Sequence, residues 1–198
     1  MWKKLGIAIF GGLAALLIGS ALVLPSEVTV SRALDISADR EVVFSNISDL
    51  KNWNSWSPWY AKDKQMKMTY SKEPASGVGA QAEWQSESQG SGSMTIIEQE
   101  SPATVVLALD FGLRGKAQTR FDLEATGESG TRVTWSMTSH LGNIPVRKLF
   151  GSTLERQVGA DFEDGLKRLK EWTEFQRAVK ENPDETQGGV RAPGIGLP

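Results

Sequence analysis

Hydrophobic and polar residues alternate along most of this chain, and the two ends break the pattern. From Leu5 to Leu24, twenty residues, no side chain is charged, and the run stops at Pro25. A helix of that length rises about 30 Å, the depth of one hydrocarbon core. Val28, Val30, Leu34 and Ile36 then share one face of a strand, with Thr29, Ser31 and Asp35 on the other. Asp39 stands where a helix cap would, and Val43, Phe44 and Ile47 follow at helical spacing before a stop near Asp49. The Trp53–Tyr60 stretch comes next and holds three of the seven tryptophans. Pro58 breaks a continuous helix there, which predicts a loop.

Beyond a lysine-rich turn the alternation has period two. Met66 to Ser71 forms one segment; Ala80, Ala82 and Trp84 then alternate with Gln81, Glu83 and Gln85. Gly90-Ser91-Gly92 predicts a tight turn ahead of Met94 and Ile96. Val105, Leu107, Leu109 and Phe111 share a face, as do Ala117, Thr119, Phe121 and Leu123, then Val133, Trp135 and Met137. This spacing predicts an antiparallel meander with one wet and one covered face. Pro145 suits a helix start, and Phe150, Leu154, Val158, Phe162, Leu166, Leu169 and Trp172 follow in steps of four or three. Gly151, Gly159 and Gly165 interrupt that helix, which calls for close backbone approach or room beside it. From Asn182 the periodicity is gone, so residues 182–198 read as a disordered tail.

The expected architecture is therefore strand, short helix, six strands, long helix, an α+β domain over residues 27–181. One long helix of about 10 Å diameter is too thin to fill a curved seven-stranded sheet, so a hollow should remain at its open end.

The apolar run at residues 1–26 has two readings, a cleaved signal peptide and a permanent anchor. The candidate small-x-small cleavage site, Gly19-Ser20-Ala21, lies inside the run, and the run exceeds the usual signal core, which favours the anchor. Lys3 and Lys4 precede it, so the amino terminus stays cytoplasmic and the domain faces the periplasm or exterior. Only Pro25 and Ser26 separate anchor from strand, which predicts a domain held against the bilayer.

Composition removes whole classes of function. With 22 Lys+Arg against 24 Asp+Glu, the chain lacks the basic excess of a nucleic-acid binder. There is no cysteine, so disulfides, thiolate metal sites and cysteine nucleophiles are excluded. The single histidine, His140, leaves no basis for His-rich metal sites, and no metal or cofactor is expected. Asp110, Arg120 and Glu83 fall on the polar phase of their strands and are expected in solvent. Asn46-Ile47-Ser48 fits a glycosylation sequon but falls in the short helix.

Several stretches resemble the START/polyketide-cyclase (SRPBCC) superfamily, in particular bacterial membrane-anchored members of polyketide cyclase/dehydrase type. They are Ala38-Asp39-Arg40-Glu41-Val42-Val43-Phe44, Asp49-Leu50-Lys51-Asn52-Trp53, Trp56-Ser57-Pro58-Trp59 and Gly77-Val78-Gly79-Ala80 with Trp84. Gly92-Ser93-Met94-Thr95-Ile96, Leu109-Asp110-Phe111-Gly112, Thr131 to Met137 and Asp161 to Leu166 complete the set. The resemblance implies a helix-grip fold, a curved antiparallel sheet around a long carboxy-terminal helix. It implies little about chemistry, because such domains bind lipids, sterols, hormones and polyketides and only some catalyse.

The candidate ligand-binding residues are Trp53, Trp56, Trp59, Trp84, Met94, Leu109, Phe111, Trp135, Met137 and Phe162. For the Trp53, Trp56, Trp59 cluster, one reading is aromatic plugs seating the short helix; another is a pocket rim or membrane-facing lid. Residues on the covered face are either core or the wall of a hydrophobic cavity. The expected function is binding of a hydrophobic small molecule or lipid on the exported side of a membrane. The alternatives are a cyclase or dehydrase acting on a polyketide-like substrate, which needs a placed acid or base, and a docking role in the envelope.

Overall fold

The computed structural model describes residues 12, 27–140 and 151–181, without the side chains of His140, Ser152 and Leu154. The expected membrane span, Pro145, Phe150 and the carboxy-terminal tail lie outside these residues. Among the described residues no helix is long and apolar enough to cross a membrane.

Strand β1 (Glu27–Ile36) leads into helix α1 (Arg40–Ser48), a 3-10 turn (Leu50–Asn52) and two short helices, α2 (Trp53–Trp56) and α3 (Pro58–Lys62). Six strands follow: β2 (Lys67–Tyr70), β3 (Gln81–Ser86), β4 (Gly90–Glu100), β5 (Thr104–Asp110), β6 (Lys116–Thr126) and β7 (Gly130–His140). Helix α4 (Gly151–Glu181) closes the domain. The strands form one antiparallel sheet in the order β1-β7-β6-β5-β4-β3-β2, so β2 to β7 meander and β1 returns to pair with β7. An α+β fold with a seven-stranded sheet gripping one long helix is thus present, as the alternation predicts.

The two ends of the sheet are filled differently. At the end holding Ile36, α1 supplies Val43, Phe44 and Ile47, which pack with Leu50, Leu107, Leu123, Leu166 and Leu169 into a closed core. Asn46 ties this plug to α4 because each of its polar groups has a partner. Its amide donates to the Val42 carbonyl (3.1 Å) and Gln176 Oε1 (2.7 Å), and its Oδ1 accepts from Trp172 Nε1 (3.1 Å). A buried Asn46 gives the Asn46-Ile47-Ser48 triplet a structural role. At the other end no described residue forms such a plug.

Two local expectations change, and one holds without its side-chain bond. Pro58 does not make a loop: it occupies the first turn of α3, where its missing N–H costs nothing, and Ser57 Oγ accepts from the Tyr60 N–H (3.3 Å). Asp39 holds the cap position through its backbone, whose carbonyl accepts from the Val42 and Val43 N–H groups, and its side chain makes no cap bond. Gly90-Ser91-Gly92 belongs to β4, the turn being at residues 87–89. Gly92 is glycine because Trp84 crosses it: a Cβ there would stand 2.3 Å from the indole.

The alternation in β1 also passes over Arg32, on the helix-facing side. Its guanidinium donates to Glu163 (2.8 Å) and Glu155 (3.1 Å) of α4, which push its pKa further up. It lies flat against Gly159, where an added Cβ would meet Arg32 Nη2 at 2.2 Å. Gly165 faces rigid groups instead, with a Cβ only 2.7 Å from the Trp135 ring and 3.1 Å from Pro58 Cδ. The two glycines should therefore respond in opposite ways to alanine. Gly159→Ala displaces only a flexible side-chain end and gains about 1 kcal/mol of helix propensity, so its stability should match or exceed wild type. Gly165→Ala wedges apart Trp135 and Pro58 and should cost about 1–3 kcal/mol. Urea midpoints of the two variants check this directly.

Candidate functional site

Trp135 is the centre from which the open end is built. Its ring stacks on Phe162 of α4 (centroids 4.0 Å, planes 9° apart) and on Phe121 of β6 (4.8 Å). Trp53, Trp56 and Trp59 meet it edge-on at 6.3, 5.8 and 5.8 Å. Such edge-to-face and stacked pairs add to the apolar area buried, so the cluster forms a rigid floor between sheet and helix. Above that floor lies a cavity of about 440 Å³, within the range of roughly 300–1,000 Å³ for small-molecule sites.

Each strand from β2 to β7 contributes a helix-facing side chain to the wall: Met68, Trp84, Met94, Leu109, Thr119, and Trp135 with Met137. Helix α4 contributes Gln157, Val158, Asp161 and Phe162, and the α2–α3 segment Trp53, Asn54, Ser57, Trp59 and Tyr60. Of the ten residues proposed from sequence, Trp53, Trp59, Trp84, Met94, Leu109, Phe111, Trp135, Met137 and Phe162 line the cavity. Trp56 does not. At 1% exposure it lies beneath the floor, its Nε1–H donating to the Asn46 carbonyl (3.1 Å).

Trp53 is buried too, donating to the Ile47 carbonyl (2.9 Å), so these two rings seat the segment and are not a headgroup-facing lid. Trp59 reaches the rim, where its Nε1–H donates to Asp161 Oδ2 (3.1 Å) and Lys62 pairs with the same carboxylate.

The polar groups on the wall are largely spoken for. Thr119 Oγ1 donates to the Ser136 carbonyl (2.8 Å) and accepts from Trp135 Nε1 (2.8 Å). Asn54 Oδ1 accepts from the Tyr70 hydroxyl (2.9 Å), a phenol whose pKa burial pushes up. Arg114 donates to the Gln89 and Ser91 carbonyls and sits over the Phe111 ring, its guanidinium filling the space beside Gly90. Asp110 lies beyond the wall, where the Gly112 N–H and then Lys116 hold its carboxyl below the usual range. None of the ionisable side chains on the wall, Tyr60, Arg114, Lys116 and Asp161, is buried. The site is therefore suited to holding an apolar body by shape, with hydrogen bonding confined to its rim.

The polar lining residues escaped the sequence reading because they come from turns and helix ends, where no period marks a face. Asp161 had one usable signal: it precedes Phe162 on the apolar stripe of α4.

The sequence profile of the family described as polyketide cyclase / dehydrase and lipid transport matches residues 27–174. No curated protein matches the chain. Among solved structures, CalU16 from Micromonospora echinospora is 15% identical with a TM-score of 0.52, covering 81% of this chain and 86% of its own. A Thermobifida fusca protein solved by NMR is 16% identical with a TM-score of 0.59, covering 73% and 92%. DynU16, of the dynemicin biosynthetic locus, is 16% identical at 0.53, covering 74% of this chain and 47% of its own. At these identities the likeness is one of fold.

Proposed function

This chain belongs to the polyketide cyclase/dehydrase and lipid transport family, and we propose that it binds a hydrophobic small molecule or lipid in its cavity without transforming it. We place the domain on the exported side of a membrane, tethered by the apolar run Leu5–Leu24. The observation that carries the binding reading is a mostly apolar hollow of about 440 Å³ with no buried ionisable group among the described residues of its wall. General acid–base work needs such a group, held near the reacting atoms and tuned by burial. A cyclase or dehydrase of polyketide-like substrates remains the second reading, favoured by Asp161, the one carboxylate on the wall among the described residues. That carboxylate is already engaged by Lys62 and Trp59, which argues for a structural role at the rim.

Four tryptophans and four methionines line the hollow, a surface that adapts to flat or irregular apolar shapes. Solvent extraction of the purified full chain followed by mass spectrometry tests the proposal. One dominant apolar molecule in near-stoichiometric yield supports it. A mass changed after incubation with the chain would favour the enzyme.

A further inference from the structure

The β5–β6 loop carries a side chain that packing does not explain. Leu113 is 100% exposed, against 57% for Val78 and 47% for Ile97, the other exposed large hydrophobics among the described residues. It rides on a 3-10 turn, Gly112–Arg114, between two glycines in the left-handed region, Gly112 (φ +61°) and Gly115 (φ +112°). Single exposed leucines are ordinary, so exposure alone decides nothing. Position decides it.

The register places this loop at a particular end of the sheet. Val28 pairs with Ser139, Ser139 with Ala117, and Ala117 with Leu109, so the start of β1 and the β5–β6 loop share one edge. From β1 to β6 is two strand spacings, about 10 Å. The same end holds the cavity, whose wall includes Phe111, Arg114, Gly115 and Lys116. Only Pro25 and Ser26 stand between β1 and the uncharged run Leu5–Leu24, and two residues reach at most roughly 7 Å. A bilayer holding that run therefore lies against this end.

The chemistry of the loop matches an anionic lipid surface. Leu113 is followed by Arg114 and Lys116. Arg114 donates to backbone carbonyls and has no carboxylate partner among the described residues. Lys116 is paired with Asp110 at 3.0 Å and remains largely exposed. An apolar tip with two cations beside it is the arrangement that sets a side chain into acyl chains and its neighbours at phosphate depth.

We infer that the β5–β6 loop docks onto an anionic membrane surface, Leu113 entering the acyl region and Arg114 and Lys116 meeting lipid phosphates, so that the cavity mouth faces the bilayer. The inference rests on the tether reading given above. Because the chain has no cysteine, Leu113→Cys and, at the opposite end of the sheet, Val78→Cys each give a single labelling site in the full chain. Both are labelled with bimane and reconstituted into phosphatidylcholine/phosphatidylglycerol vesicles. The chain should float with the vesicles. The label at 113 should be quenched severalfold more strongly than that at 78 by nitroxide lipids, and be shielded from aqueous iodide. Flotation with equal lipid quenching at both positions overturns the docking inference and leaves the tether intact. A chain that does not float overturns both. Shielding at 113 without lipid quenching means a protein contact covers Leu113, which also overturns it.

Discussion

Replacing Trp135 by alanine is expected to cost the domain about 3–5 kcal/mol, a large share of the roughly 5–15 kcal/mol that holds a domain of this size folded. Trp135 is 1% exposed and its ring touches sheet, α4 and the α2–α3 segment together. Its removal deletes the stacked pair with Phe162 and leaves Thr119 Oγ1 without its donor. Neighbouring rings cannot collapse into the gap, because Trp53 and Trp56 are pinned by hydrogen bonds to the Ile47 and Asn46 carbonyls. With a urea slope of about 2 kcal/mol/M, the midpoint should fall by roughly 2 M. Trp135→Phe should recover most of that loss, keeping an aromatic face against Phe162 and giving up the Thr119 bond. A loss for alanine below about 1 kcal/mol would mean that the aromatic floor is not what holds sheet and helix together.

Val158→Trp should abolish binding while leaving the fold intact. Val158 faces the hollow from the first part of α4 and is half-buried at the edge of the core, so a larger ring there is expected to extend into the hollow. Trp and Val have similar helix propensities, so the backbone bears no added penalty. Filling a void usually stabilises, and the melting temperature should hold or rise. The molecule recovered by extraction from the wild-type chain should be lost, with affinity reduced at least tenfold, about 1.4 kcal/mol or more. Unchanged recovery from a stably folded variant would place the ligand somewhere other than this cavity.

Much of this architecture was legible because a strand with one wet face writes its orientation into alternate residues. Ala117, Thr119, Phe121 and Leu123 point to the helix in the sequence reading and in the structure alike. Glycine was harder to read. Gly92 and Gly165 are needed for rings that cross them, Trp84 and Trp135, whose partners are distant in sequence or across a hairpin. Nothing local separates such a glycine from one in a turn, so Gly90-Ser91-Gly92 was assigned to the wrong place. Pro58 carries the same ambiguity, since it ends one helix and starts another with equal ease. The helix proved too thin to fill the sheet, as expected, but the remedy was only half foreseen: α1 closes one end and leaves the other hollow. Arg32 remained hidden because its helix-facing position in β1 is balanced by Glu155 and Glu163, more than a hundred residues away.

The most direct test of an accessible apolar hollow is a titration of the full chain in detergent with 1-anilinonaphthalene-8-sulfonate, excited through tryptophan. Four tryptophans on the cavity wall are placed to transfer energy to a bound probe. Saturable, one-to-one transfer that disappears in Val158→Trp is the result expected. Transfer that never saturates, or that survives unchanged in that variant, would contradict the cavity as the binding site.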